Sequence, residues 1–517
     1  MPEPISIEQE IRPNTQPIKA STGVTVDKSN PTTTTILDAI EKAGGRIPFS
    51  EFMDISLYGE NGYYKSGKVK IGIDNNQGDF TTSPETSEMF GATLGKQLMH
   101  IWTAMGKPEK FEIVEMGAGN GTMAMSILKW MEKLYPDFYN SINYLIVEYG
   151  KGLIPKQQQT IDKYKDKINW IMAKAYELPL GEIEGAFISN ELPDAFPVEI
   201  VREIDGELKQ KYIKITDNEW VEEWDKPSDN VCDYIKRNNV NVNDHEQPIN
   251  LHAEVFQQEM DRALKKGAII TIDYGGLQLA GKGNSATRYY GSLNGKYADI
   301  AFDSKAPYQK PGDVDITADV NFGVLETIAK RDGLDVVFSG RQAELLDRAG
   351  ILSVTTQAKQ SIIKEKKWQE IEEGAKKLQY ASKLVCTYGS EGNYYSHILT
   401  KGIRDPDIMA DKESAALSFL LDLRIRDFVP IKIADGKTRL TEWKYGFLPT
   451  IGARKTDIEP EPSWLKDGPI DTDAEGNIYV NPLEIQYVKF TFPDGRTIDL
   501  SDKNTRETVI RNSGYII

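Results

Sequence analysis

A short run of alternating glycines constrains the fold of this 517-residue chain more than any other feature. The run Glu115-Met-Gly-Ala-Gly-Asn-Gly-Thr122 follows the strand-like residues Phe111–Val114 and precedes a helical pattern over Met123–Leu134. Glycines at alternate positions allow a sharp turn and a close approach of a ligand to the backbone. The helix that follows offers free N–H groups to a carboxylate or a phosphate. We therefore expect a strand–turn–helix unit whose ligand contacts come from Gly117, Ala118, Gly119 and Gly121.

The rest of the central region alternates short β-like runs with longer helical patterns. Four more runs are strand candidates: Tyr144–Val147, Ile168–Ile171, Ala186–Ser189 and Ala268–Ile272. This alternation predicts a mostly parallel, doubly wound sheet with helices on both faces. The predicted fold class is α/β with a Rossmann-like core.

Shifts in composition and pattern predict the domain organisation. The first segment is rich in Pro, Thr and Ser and is expected to be flexible. Two Asp-Gly pairs near the C-terminus, at 435–436 and 494–495, lie between strand-like runs and predict hairpins. The expected parts are a flexible segment 1–33, a helical cap 34–110, a core 111–402 with insertions at about 198–250 and 281–315, and a β-containing appendage 403–517.

Composition argues against several classes of protein. With 62 Lys and Arg against 78 Asp and Glu, the net charge of −16 disfavours binding to nucleic acid or to anionic lipid. Two cysteines, Cys232 and Cys386, cannot form a disulfide framework and fit a reducing compartment. The four histidines have no ligand spacing, so no metal is expected. With neither a signal peptide, a transit peptide nor an apolar span, the expected location is cytoplasmic.

The glycine run, with Glu115 before it, resembles motif I of the class I methyltransferases, which bind S-adenosylmethionine (SAM). A dinucleotide fingerprint would have glycine where Thr122 stands, so a nicotinamide oxidoreductase is the weaker alternative. Glu148 ends the second strand and is expected to accept hydrogen bonds from both ribose hydroxyls. By the same resemblance, the backbone of Ala175 would contact adenine, whereas Lys174 replaces a common Asp.

Polar residues follow the fourth strand, and ligands of open α/β sheets bind outside the carboxyl ends of the strands. Glu191 and Asp194 are therefore candidates to orient a methyl acceptor, and Asn190 to hold the acceptor or the methionine part of SAM. Methyl transfer depends on such positioning. The alternative is that Glu191 and Asp194 only cap the start of a helix.

Several segments together resemble the MidA/NDUFAF7-like methyltransferases. The pattern Asn-Glu-x-x-Asp-Ala-x-Pro at 190–197 is joined by similar strings at 47–53, 78–85 and 311–320. The resemblance implies that residues 78–85 cap the cofactor site. Ser83 and Pro84 read as the N-cap and N1 of a helix, which would present hydroxyls to a carboxylate. The cap residues expected to contact SAM are Thr81, Thr82 and Ser83.

The resemblance implies SAM as the cofactor and methyl transfer to a nitrogen or oxygen nucleophile, with a protein arginine as the acceptor known in the family. Two alternatives stay open: methylation of a peptide or small-molecule intermediate, and a non-catalytic assembly factor that binds SAM. Homodimer formation is also left open.

Overall fold

The computed structural model describes residues 17–67, 69, 71–72, 81–277, 287–293, 296–298, 305–364, 384, 394–403 and 408, together with six short C-terminal strands. The chain forms two compact units. Unit 1 comprises Met1–Val69, Pro193–Val255 and Leu277–Val324. Unit 2 comprises Lys70–Leu192, Phe256–Gly276 and Leu325–Ile517.

The described helices are α1 (Pro31–Lys42), α2 (Phe49–Tyr58), α3 (Ser83–Thr86), α4 (Glu88–Ala104), α5 (Thr122–Leu134), α6 (Pro136–Ser141), α7 (Ile154–Thr160), α8 (Asp229–Arg237), α9 (Leu251–Ala263), α10 (Ala306–Gln309), α11 (Phe322–Asp332), α12 (Gln342–Arg348) and α13 (Ile351–Lys364). Two 3₁₀ helices cover Asp162–Lys167 and Pro193–Ala195.

The described strands are β1 (Ile18–Thr25), β2 (Arg46–Pro48), β3 (Phe111–Met116), β4 (Ile142–Glu148), β5 (Ile168–Met172), β6 (Ile183–Asn190), β7 (Glu199–Ile204), β8 (Glu207–Thr216), β9 (Glu219–Asp225), β10 (Gln247–Ile249), β11 (Leu264–Asp273), β12 (Gly275–Gly276), β13 (Thr287–Leu293), β14 (Lys296–Ala298), β15 (Asp315–Ala318), β16 (Val320–Asn321), β17 (Asp335–Arg341), β18 (Tyr395–Lys401), β19 (Pro430–Lys432), β20 (Thr438–Leu440), β21 (Ile470–Thr472), β22 (Ile478–Val480), β23 (Lys489–Thr491) and β24 (Thr497–Asp499).

Unit 2 is built on a seven-stranded sheet with the order β17-β18-β11-β6-β3-β4-β5. The five strands from β11 to β5 are parallel, whereas β18 pairs antiparallel with both β11 and β17. From β3 the chain runs outward through β4 and β5 on one side and through β6 and β11 on the other. The carboxyl ends of β3 and β6 therefore flank a topological switch point, where open α/β sheets bind ligands.

Buried apolar side chains explain why these strands form the centre of unit 2. Phe111, Ile113, Ile146 and Ala186 are each fully buried, as expected of strands covered on both faces. Helices α4 and α5 approach closely at Gly91, where a Cβ would stand 2.6 Å from that of Ser126. A larger residue at position 91 would force these two helices apart.

Unit 1 contains an antiparallel sheet with the order β1-β9-β8-β7-β10, and β2 also pairs with β8. Its core includes Phe52, whose ring lies 5.8 Å from Trp220 in a T-shaped arrangement and 5.3 Å from Tyr308. Within the predicted insertion 198–250, β7 and β8 pair antiparallel around Asp205-Gly206.

All five predicted core strands are present as β3, β4, β5, β6 and β11. The prediction that residues 1–33 are flexible is wrong for the later part of this segment. Ile18–Thr25 forms β1, and α1 begins at Pro31. Strand β1 pairs with β9, about 200 residues further along, and local composition carries no information on such a distant partner. The predicted cap 34–110 is divided between the units at residue 69, and both insertions lie in unit 1.

The two hairpins predicted in the appendage 403–517 correspond to paired strands. Strand β19 pairs antiparallel with β20, and β23 pairs with β24. Both Asp-Gly pairs themselves fall outside the described residues. The appendage as a separate domain stays a prediction.

Candidate functional site

The glycine loop joins β3 to α5 at the switch point of the unit 2 sheet. Gly117, Gly119 and Gly121 have φ values of 69°, 53° and 82°, which L-residues with a side chain rarely adopt. A Cβ at Gly121 would stand 2.8 Å from Ile161 Cδ1. Backbone conformation and neighbouring side chains therefore favour glycine at these positions, and α5 begins directly after the loop, at Thr122.

Glu115 lies near the end of β3 and is fully buried. Its Oε2 accepts a hydrogen bond of 2.6 Å from the hydroxyl of Tyr144 on β4. Burial raises the pKa of Glu115 to about 7. The hydrogen bond from Tyr144 lowers the pKa by a smaller amount, and the nearby charge of Glu148 raises it by less still. This hydrogen bond connects β3 to β4 close to the glycine loop. That Glu115 contacts SAM stays a prediction.

Glu148 ends β4 with its carboxylate buried. Its Oε1 accepts from the backbone N–H of Gly150 at 2.7 Å, and its Oε2 accepts from Nε2 of Gln157 at 2.8 Å. Burial raises its pKa, and these hydrogen bonds oppose that effect. A carboxylate has about four acceptor sites, so Glu148 retains the capacity to accept from a diol.

The cap residues differ from their predicted geometry. Helix α3 begins at Ser83, so the N-cap is Thr82, which makes no side-chain cap hydrogen bond. Ser83 is therefore not the N-cap and Pro84 is not N1, because the helix starts one residue earlier than the Ser-Pro signal indicates. The Ser83 hydroxyl instead donates to Oε1 of Gln342 at 3.0 Å. Thr81 Oγ1 is buried and has no hydrogen-bond partner among the described residues.

Glu85, in the first turn of α3, connects this segment to the glycine loop. Its Oε1 accepts from Thr122 Oγ1 at 2.6 Å and from Asn120 Nδ2 at 3.1 Å. The same Nδ2 also donates to the carbonyl of Ile71 at 2.9 Å. Asn120 of the loop thus contacts both Glu85, at the end of the segment 78–85, and Ile71, which precedes that segment.

Glu191 follows β6 and has φ of 51°, a left-handed conformation that is uncommon for a residue with a side chain. Its Oε1 accepts from the backbone N–H of Ser83 at 3.1 Å and from Asn190 Nδ2 at 2.8 Å. Its Oε2 accepts from the Tyr274 hydroxyl at 3.1 Å, which in turn accepts from Tyr394 at 2.9 Å. Such strained residues cluster at functional sites.

Asn190 and Asp194 lie on either side of Glu191 in the chain. Asn190 Oδ1 is buried and has no hydrogen-bond partner among the described residues, so it can accept from a ligand. Asp194 is buried in the 3₁₀ helix of unit 1, where its charge contributes to raising the pKa of Tyr64, mainly an effect of burial. The structure thus brings Asn190 and Glu191 together within unit 2 and assigns Asp194 to unit 1.

The predicted adenine contacts follow β5. Ala175 is partly buried, and the Nζ of Lys174 lies 5.6 Å from the ring centres of both Tyr149 and Tyr176. Met172, which ends β5, is 54% exposed, an unusual exposure for a large apolar side chain. An apolar, aromatic rim of this kind suits a planar base.

Neither a cluster of metal ligands nor a membrane-spanning helix is found among the described residues. Within the described ranges, no three His, Cys, Asp or Glu residues are arranged to hold a metal ion. No described helix has both the length and the apolar character needed to cross a bilayer.

The residues present fit SAM. The loop of glycines gives backbone access, Glu148 retains acceptor capacity, and Thr81 and Asn190 each hold a buried oxygen available to a polar ligand. Parallel strands in this order, with a glycine loop after β3 and a carboxylate after β4, define a Rossmann-like methyltransferase core.

Comparison with known proteins supports the assignment of a methyltransferase core. Residues 93–339 match the family model described as "Putative S-adenosyl-L-methionine-dependent methyltransferase". This part of the chain is similar to that family, and the chain is a SAM-dependent methyltransferase. The resemblance found in the sequence is thereby confirmed.

Individual relatives extend the comparison. A Drosophila melanogaster protein named "Protein arginine methyltransferase NDUFAF7 homolog, mitochondrial" is 25% identical over 319 residues, covering 56% of this chain and 68% of the relative. The Homo sapiens protein of the corresponding name is 26% identical over 311 residues, covering 56% and 67%. Both names specify mitochondria, so they do not support the cytoplasmic location, which stays a prediction.

A solved structure shares the fold. A Burkholderia thailandensis protein crystallised with S-adenosyl-homocysteine is 24% identical, with a TM-score of 0.60, and the match covers 72% of this chain and 92% of that one. The predicted α/β, Rossmann-like fold class is confirmed. A peptide or small-molecule methyltransferase, a non-catalytic binder and a dinucleotide oxidoreductase are not favoured by these findings.

Sequence reasoning missed the residues that connect the predicted ones. Tertiary contacts bring Glu85, Gln157, Tyr274, Gln342 and Tyr394 to the predicted residues. Glu85 lies in the string 78–85, already noted for its resemblance, and this could have drawn attention to it. Gln342 and Tyr394 carry no local signal, because they come from the far end of the core.

Proposed function

We propose that this methyltransferase transfers the methyl group of SAM to a side-chain nitrogen of arginine in a protein. The observation that carries the proposal is the placement of the Glu191 carboxylate, held by three donors at the carboxyl edge of the sheet. The names of the fly and human relatives, which describe arginine methyltransferases, support arginine as the acceptor.

The cofactor side of the proposal uses the loop and the strand ends. Gly117, Ala118, Gly119 and Gly121, together with Glu115 and Thr81–Ser83, surround the methionine part. Glu148 accepts from the ribose, the backbone of Ala175 contacts adenine, and Asn190 offers its free Oδ1 to the amino group. SAM supplies an electrophilic methyl group on a sulfonium.

The acceptor side uses charge. A guanidinium has donors in a planar fork, and a carboxylate is its best matched partner. Glu191 would orient the guanidinium and accept the proton that the methylated nitrogen releases. That Asp194 helps to orient the acceptor stays a separate prediction. Methyl transfer needs an aligned acceptor and an electrostatic environment that matches its charge. Orienting the guanidinium and accepting its proton are therefore what this chain's residues contribute to catalysis.

A transfer assay tests the proposal. The purified chain is incubated with radiolabelled SAM and with protein, peptide and small-molecule pools, and labelled protein is hydrolysed for amino-acid analysis. Methylarginine is the expected product. Label only in small molecules, or in another amino acid, would overturn the assignment of the acceptor.

Variants locate the activity. We expect Glu191→Gln to lose transfer at least a hundredfold while S-adenosylhomocysteine (SAH) still binds. The matched control is Glu182→Gln, since Glu182 is also in a left-handed conformation, with φ of 59°, but is exposed. Equal activity of the two variants would exclude Glu191 from the reaction.

A further inference from the structure

Gln157 makes three hydrogen bonds from a completely buried side chain. Its Nε2 donates to Glu148 Oε2 at 2.8 Å and to the carbonyl of Gly119 at 3.1 Å. Its Oε1 accepts from the ring N–H of Trp170 at 3.0 Å. One amide thus connects the carboxylate after β4, the glycine loop after β3, and a side chain of β5.

The orientation of this amide is determined by its neighbours. An amide NH₂ has two donors and the amide oxygen is only an acceptor. Trp170 can only donate and both Glu148 and Gly119 O can only accept, so a flipped amide would break all three contacts. Trp170 therefore fixes the side of Gln157 that faces Glu148.

The contacts leave Glu148 in a defined rotamer. Gly150 N–H holds Oε1 and Gln157 holds Oε2, and the backbone N–H of Tyr149 is a further donor to this carboxylate. The lone pairs that remain point in directions set by the donors already bound. Two vicinal hydroxyls need two such acceptors at once, and a carboxylate free to rotate would lose part of that fit.

We infer that Gln157 is a positioning residue for the cofactor: its amide orients Glu148 toward the ribose and holds the glycine loop in place relative to Glu148. This inference rests on the proposed role of Glu148 as the ribose acceptor. Gln157 itself contacts no part of SAM in this scheme. Its loss weakens recognition of the ribose hydroxyls more than binding of the rest of the nucleotide.

The test measures how much the loss of each ribose hydroxyl weakens binding, and this loss of affinity is called the penalty below. Dissociation constants for SAH and for its 2′-deoxy and 3′-deoxy analogues are measured by calorimetry on the full chain. For the wild type, we expect each missing hydroxyl to weaken binding at least tenfold, since hydrogen bonds to charged groups are strong. For Gln157→Leu, we expect this penalty to fall below threefold.

Two further variants guard against a general structural effect. Gln158→Leu makes the same change at the next residue of α7, which is exposed, and is expected to keep the wild-type penalty. Trp170→Phe removes the N–H that orients the amide, together with part of the indole ring, and is expected to reduce the penalty to an intermediate value. Circular dichroism verifies the fold of each variant; if Gln157→Leu does not fold, Trp170→Phe decides the inference.

The outcomes separate this inference from the proposal beneath it. If the wild type does not discriminate against the deoxy analogues, or if Glu148→Gln retains the discrimination, the ribose role of Glu148 is wrong. If the wild type discriminates and Glu148→Gln does not, but Gln157→Leu and Trp170→Phe keep the full penalty, Gln157 is only a structural contact and this inference alone is overturned.

Discussion

Glu115 and Tyr144 meet inside the seven-stranded sheet, where the tyrosine hydroxyl donates to the glutamate Oε2 at 2.6 Å. Glu115 lies just before the glycine loop, and its side chain is buried. Its pKa of about 7 means that its charge changes near neutral pH. The end of β3 therefore contains a proton-dependent contact.

The first prediction concerns Glu115 and pH. The unfolded chain has this carboxyl near its ordinary pKa of 4.5, and the folded chain has it near 7. The folded state therefore binds more protons between these values, and its stability falls as the pH rises through that interval. Relative to wild type, Glu115→Gln is expected to gain up to about 3 kcal/mol between pH 4.5 and pH 8.

Urea unfolding at several pH values measures this gain. Glu112→Gln, a change on the same strand, controls for the loss of one acidic group. A difference between Glu115→Gln and wild type that stays constant with pH would show that Glu115 does not titrate in this range.

The second prediction concerns the link between α3 and the glycine loop. Glu85→Ala removes the acceptor shared by Asn120 and Thr122. We expect SAH to bind about tenfold more weakly, because hydrogen bonds to a charged acceptor contribute more than neutral ones. Glu85→Gln keeps an acceptor oxygen and is expected to bind with an intermediate affinity. Unchanged affinity in the alanine variant, measured by calorimetry, would contradict the link.

The third prediction concerns the two tyrosines behind Glu191. Tyr274→Phe removes the donor to Glu191 Oε2 and is expected to lower kcat about tenfold, an effect in the range of one hydrogen bond to a charged group. Tyr394→Phe acts one bond further away and is expected to have a smaller effect. The SAH affinity of both variants should match wild type. A loss of affinity without a loss of kcat would contradict this placement.

The fourth prediction separates backbone strain from steric clash. Gly121 and Gly44 have nearly equal φ values, 82° and 81°, but only at Gly121 would a Cβ meet a neighbour, Ile161 Cδ1 at 2.8 Å. Gly44→Ala is expected to cost about 1 kcal/mol of stability, from conformation alone. Gly121→Ala is expected to cost about 1–3 kcal/mol more, and to weaken SAH binding. Equal costs, measured by urea unfolding, would mean that Ile161 moves aside freely.

Much of the core could be predicted because its determinants are local. Runs such as Ala268–Ile272 are apolar on both faces of a buried strand, and β11 is present there. The turn at Asp205-Gly206 similarly specifies the β7–β8 pair. The start of α3 was misplaced by one residue, since Ser83 donates to Gln342, some 260 residues away, instead of capping its own helix.

The sequence by itself determined the strand–glycine–helix unit, the position of Glu148 after its strand and the methyltransferase class, because these depend on residues within a few positions of one another. Only the tertiary structure decided that Gln157 orients Glu148, that Tyr394 supports Tyr274, and that Asp194 belongs to unit 1. Such contacts form when distant segments pack. Hydrogen-bond direction and distance then select the partners, and spacing along the chain carries no record of either.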